Sequence, residues 1–165
     1  MRRSRGRRDP APPRPTSWGR TTADAPEEVV GRLQEALLAA VLAGRSLPGA
    51  EQPLRLPDLD FVLREDAVLL LDENLAGRLS TEALPKPVQI VSADELRARA
   101  AERDVAYLRF QPAEREDGTV RLTLEARLAS RDPGRPTLGL SGIQVRFHEI
   151  AGRWEAAGEP VLFAG

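Results

Sequence analysis

Val120-Arg-Leu-Thr-Leu-Glu-Ala-Arg-Leu128 is the stretch from which the fold of this chain can be read. Val120, Leu122, Leu124, Ala126 and Leu128 fall on one face of an extended strand, and Arg121, Thr123, Glu125 and Arg127 fall on the other. That period of two belongs to a strand with one apolar side, the pattern of an antiparallel sheet lying on a core. Upstream, Leu108 and Phe110 alternate with Tyr107 and Arg109, and Asp117-Gly118 supplies a turn. Downstream, 131–136 is a Pro/Gly turn cluster, followed by a strand over about 138–150. There Ile143, Val145 and Phe147 face inward while Gln144, Arg146 and His148 face outward. Gly152 punctuates, Trp154 and Ala156 continue, and Gly158 with Pro160 marks a bulge or edge before Val161-Leu-Phe163. Four consecutive antiparallel strands with short connections are the economical arrangement.

The first half of the chain changes period. Val29, Leu33, Leu37 and Val41 recur every four residues, flanked by Val30, Leu38 and Leu42, and Gly44 is a natural stop. With Asp24 and Glu27 spaced as a capping box and Pro26 in the first turn, a helix is expected over 25–43. Residues 45–58, with three prolines, read as a loop. In 61–72 two apolar runs flank Glu65-Asp66, which predicts a hairpin or a bent strand pair. An irregular stretch over 73–87, with a single helical turn near 75–79, leads to a short strand at Val88–Val91. Ser92 and Glu95 form a second capping box, opening a helix from Ala93 to about Arg103 whose apolar positions are mostly Ala. The fold class is α+β. Helix 25–43 and the second short helix are expected on one face of a mostly antiparallel sheet that ends in a four-strand meander. The other face is expected to show charge to water.

Composition narrows the chemistry. The 165 residues suffice for one domain, and only 7 are aromatic, so Leu, Val and Ala must fill the core. With no Cys, the chain has no disulfides, zinc–thiolate sites, iron–sulfur clusters or cysteine nucleophiles. The net charge of −1 combines two unlike parts. The first twenty residues carry seven Arg against Asp9 alone. Removing these from the totals of 24 basic and 25 acidic residues leaves 17 and 24, so the remainder is net −7. Residues 1–23, rich in Arg and Pro, are expected to be a disordered basic tail, and 24–165 a single α+β domain. Arg2, Arg3, Arg5, Arg7 and Arg8 are the candidate anion contacts of that tail, the one part suited to nucleic acid or an anionic surface. No run of about 18 apolar residues occurs, and no apolar stretch follows Arg2-Arg3 as an export signal requires, so the expected compartment is the cytoplasm.

Few residues suggest catalysis. His148, the only imidazole, lies on the polar face by strand parity. Gly139-Leu-Ser-Gly142 fails the nucleophile-elbow pattern because Ile occupies position 143. The carboxylates at Asp58/Asp60, Asp72/Glu73 and Glu114/Glu116/Asp117 lack calcium-loop spacing and sit beside turns. No cofactor and no metal is implied. The outward sheet face is the constellation worth following: Tyr107, Arg109, Arg121, Arg127, Arg146 and His148, with Thr123 and Gln144 among them. Several Arg beside a Tyr on a flat sheet could grip an anion. Glu125 and Glu155 share that side, so cross-strand Arg–Glu pairing is the commoner outcome.

Ala106-Tyr-Leu-Arg-Phe110, the strand 120–129, Leu140-Ser-Gly-Ile-Gln-Val-Arg-Phe147 and Gly152-Arg-Trp154 resemble a pattern, YLxF…LSGxxVxF…GxW. It belongs to a family of small bacterial α+β proteins without an assigned activity. The resemblance covers roughly 60–164, includes the capped helix opening at Ser92, and implies a fold but no catalytic residue. More loosely, a helix followed by a long antiparallel run is similar to the cystatin-like and nuclear-transport-factor-two-like families, which build a curved sheet with a cavity. The leading expectation is a non-enzymatic binding or assembly domain, with a protein partner or a second copy of the chain as candidate partners. The alternatives are a small-ligand pocket, catalytic in some of these families, between the sheet and helix 25–43, and attachment to nucleic acid through the tail.

Overall fold

A computed structural model describes residues 25–77, 79–135 and 137–165. The expected tail 1–23, with Arg2, Arg3, Arg5, Arg7 and Arg8, lies outside the described residues, as does Asp24. Helix α1 spans Glu27–Ala43 and buries Val30, Leu33, Leu37, Leu38 and Val41 along one stripe. Its N-cap is Pro26 rather than the expected Asp24 box, and the Pro26 carbonyl accepts the N–H groups of Val29 and Val30. Gly44 ends it in the left-handed conformation (φ 63°), donating its N–H back into the last turn.

The short helix α2, Leu59–Leu63, replaces the expected first arm of a hairpin. Leu59, Val62 and Leu63 share a helical spacing that turns Val62 fully inward and leaves Phe61 exposed, so one turn of helix satisfies this run better than a strand. Strand β1 follows at Val68–Leu71, and all four of its residues are buried. Then come β2 at Val88–Val91, helix α3 at Ala93–Ala100, β3 at Val105–Phe110 and β4 at Glu114–Glu116. The chain finishes with β5 at Thr119–Ala129, β6 at Thr137–Ile150, β7 at Arg153–Ala156 and β8 at Val161–Ala164. Ser92 caps α3 as its sequence requires, its side chain accepting the Glu95 N–H at 3.2 Å.

The strands form one curled, mostly antiparallel sheet in the order β2-β1-β3-β5-β6-β7, with β4 also paired to β5 and β8 to β6. Among the described strands only β1 pairs in parallel, with β2 on one side and β3 on the other. A parallel return needs a crossover, and α3 is that crossover between β2 and β3. It lies on the face away from α1. Alternate residues of β1 and β3 therefore serve two cores. Leu70, Leu108 and Phe110 join α1 together with Leu122, Leu124, Ile143, Val145 and Phe147. Leu69, Leu71, Val105 and Tyr107 join Leu96 and Ala100 of α3. The two helices thus occupy opposite faces instead of sharing one, and β1 is apolar throughout because both of its sides are covered.

The space between α1 and the sheet is filled by aliphatic side chains together with Phe110 and Phe147, with Trp154 packed at its margin. A polar side chain of α1 enters it. Gln34 of α1, completely buried, donates to the Asn74 carbonyl and accepts the Ala76 N–H, both at 2.9 Å. Asn74, itself at φ 62°, donates from Nδ2 to the Phe110 carbonyl at 2.9 Å. These bonds hold the irregular segment after β1 against both α1 and the end of β3.

Candidate functional site

On the second face α3 covers only part of the sheet, and beside it lies a groove of about 510 Å³. Leu71, Leu96, Ala100, Tyr107 and Ala129 make its walls apolar, and Arg109 and Arg127 come up from its floor. Ser130, Pro133 and Thr137 also line it, and the exposed Glu73, Arg97, Arg131 and Asp132 stand at the rim.

Strand pairing builds the floor. Arg109 on β3 is directly opposite Glu125 on β5, and Arg127 lies two residues along on the same face. Glu125 accepts from Arg109 Nη2 at 3.1 Å, from Arg127 Nη1 at 3.4 Å and from Gln111 Nε2 at 2.6 Å. These side chains are mostly withdrawn from water, 27% exposed for Arg109, 21% for Arg127 and 12% for Glu125, so the charges are screened less than in a surface pair. One carboxylate is thus shared by two guanidiniums. The Nε atoms of both arginines are buried with no acceptor among the described residues, whereas Arg127 Nη2 reaches Thr137 Oγ1 at 3.4 Å.

Thr137 faces the groove because of an irregularity in the β5–β6 pairing. Ala126 pairs with Ser141 but Arg127 pairs with Gly139, which leaves Leu140 as an extra residue. A bulge of this kind reverses the parity of everything beyond it. Strict alternation from Ile143 would have sent Thr137 to the core face; the bulge sends it to the outward face beside Arg127.

The residues singled out on the outward face divide into two groups. Tyr107, Arg109 and Arg127 meet at the groove. Tyr107 is buried beneath α3, a correction to its expected place on a water-facing surface. Arg121, Arg146 and His148 sit toward the other end of the β5–β6 ribbon. Thr137 and His148 are eleven residues apart on β6, roughly 35 Å at about 3.3 Å per residue. Arg121 donates to Glu114 at 2.6 Å, Arg146 is exposed opposite Arg121, and half-buried His148 pairs with Thr119 and Glu155 in the two ladders. Nor is that face uniformly solvated: Thr123 and Glu125 are both buried.

Elsewhere, buried Ser141 accepts the Asp58 N–H at 3.3 Å from within β6, a structural bond rather than a nucleophile's setting. No group of three or more His, Cys, Asp or Glu among the described residues is placed to hold a metal ion. No described helix is long and apolar enough to cross a membrane. Beyond the C-terminal end of α3, Arg103 donates to both oxygens of Glu65, at 3.0 and 2.5 Å, and this bonding and the Glu65 charge raise the guanidinium pKa above its ordinary value. The pair ties the segment after α3 to the loop between α2 and β1.

Leu96, Ala100, Gln111 and Thr137 belong to this site but were not among its expected residues. Gln111 continues the parity of Tyr107 and Arg109 one step past β3, a readable signal, whereas Thr137 depends on the bulge. In comparisons with protein-family models, curated proteins and solved structures, nothing matches the chain.

Proposed function

We propose that this protein is a non-enzymatic binding domain of the cytoplasm whose working surface is the groove between α3 and the sheet. The observation that carries this reading is the pair Arg109 and Arg127, set at the floor of an apolar-walled groove of about 510 Å³. That size falls within the range of small-molecule sites, which combine apolar walls with a few placed polar groups. Binding is favoured over catalysis by the kind of group present. Guanidiniums hold or orient a ligand through a planar fork of N–H donors and are poor general acids or bases. The carboxylate beside them, Glu125, already accepts three hydrogen bonds.

Chemical-shift mapping with a set of small anionic, neutral and cationic organic probes tests the reading. Perturbations are expected to gather at Leu96, Tyr107, Arg127 and Thr137. Perturbations gathered on α1 or scattered over the surface would refute it.

A second reading, assembly with another copy, is favoured by β8. Among the described residues this strand pairs only with β6, and it exposes Val161 and Leu162. Sedimentation of the wild-type chain and of Leu162→Lys separates the two: a dimer lost in the variant supports assembly, and a monomer in both removes it.

A further inference from the structure

The charges of the groove can be counted. On the floor two guanidiniums face one carboxylate; away from the floor Arg97 is engaged by Asp94 at 3.0 Å, and Arg131 lines the groove with Glu73 and Asp132. The surplus on the floor is a single positive charge. We propose that the groove takes a small organic monoanion, a carboxylate on an apolar chain, with its head at Arg109 and Arg127 and its body along Leu96 and Ala100. This rests on the groove being the working surface and adds the chemistry of the ligand.

Three features support a carboxylate. A guanidinium presents its donors in a planar fork that fits the two oxygens of a carboxylate. Those donors are incompletely used: Arg109 engages Glu125 through Nη2, Arg127 Nη2 has only the Thr137 hydroxyl at 3.4 Å, and both Nε atoms lack an acceptor among the described residues. A buried donor without an acceptor is unfavourable. An oxyanion that drew either guanidinium outward by one rotamer would supply what Nε lacks. Finally, the donors rise from β3 and β5 on the floor, while Leu96 and Ala100 of α3 wall the groove beside them. Head and body are thereby given separate places.

Isothermal titration of the full chain with octanoate, octanol, acetate and octyl phosphate tests the proposal, alongside chemical-shift mapping of each probe. Octanoate is expected to bind at least tenfold more tightly than octanol or acetate. Arg109→Gln/Arg127→Gln, verified as folded by circular dichroism, is expected to erase its advantage over octanol. Glu125→Gln removes a competing acceptor and a negative charge, and is expected to strengthen octanoate binding several-fold. Equal binding of octanoate and octanol within the groove overturns the recognition of charge but leaves the groove as the working surface. Octyl phosphate binding tenfold more tightly than octanoate overturns the monoanion. Failure of every probe to perturb the groove overturns both readings.

Discussion

Arg109 and Glu125 stand directly opposite one another on β3 and β5, joined by a 3.1 Å ion pair that is mostly withdrawn from water. The pair is not closed, because Arg127 and Gln111 also donate to the same carboxylate. Replacing the carboxylate by an amide removes the charge and one of the two acceptor oxygens, so the two guanidiniums and Gln111 compete for the one that is left. Glu125→Gln is therefore expected to cost about 1–3 kcal/mol, the range for leaving a partly buried polar partner unsatisfied. Urea unfolding measures it; a variant as stable as wild type would show that the cluster contributes no net stability.

Gln34 offers a sharper case, because it is completely buried and uses both ends of its amide. Gln34→Leu keeps the volume but leaves the Asn74 carbonyl and the Ala76 N–H without their partner. A loss of about 1–3 kcal/mol is expected, with amide exchange accelerating first at Ala76. Exchange unchanged there would mean that the segment after β1 is held by something else.

At Gly31 two effects oppose each other. Alanine in a helix interior gains about 1 kcal/mol of propensity over glycine. Its Cβ would lie 2.4 Å from the Ala76 carbonyl oxygen, and the residue bearing that carbonyl is fixed through its N–H by Gln34. Overpacking of this kind costs about 1–3 kcal/mol, so Gly31→Ala should lower the melting temperature. An increase would show that the segment yields.

Ser92→Ala removes the side-chain cap of α3 and should cost about 1 kcal/mol. Because α3 forms one wall of the groove, octanoate affinity should fall in the same variant. Loss of stability with affinity unchanged would uncouple α3 from binding.

The alternation in 119–129 and in 143–147 was legible because each of those stretches has one fully apolar side facing α1. Ser92 and Gly44 were legible as caps for equally local reasons. What escaped depends on two-sided contact. Val68-Leu-Leu-Leu71 is apolar at every position because it lies between two cores, and four residues carry too little periodicity to reveal that. Parity placed Tyr107 on the outward face but could not show that α3 covers it there. The bulge at Leu140 moves Thr137 to the groove without a glycine or proline at the extra residue itself. The site was thus half visible, its arginines on a strand face and its roof on a helix arriving from the opposite side.

The most direct test of the groove follows the arginine Nε–Hε resonances during a titration with octanoate. If the carboxylate engages Arg109 and Arg127, both signals shift with the saturation curve and exchange more slowly with water, while the exposed Arg146 does not respond. Saturation by octanoate with the Arg109 and Arg127 signals unmoved would contradict the account.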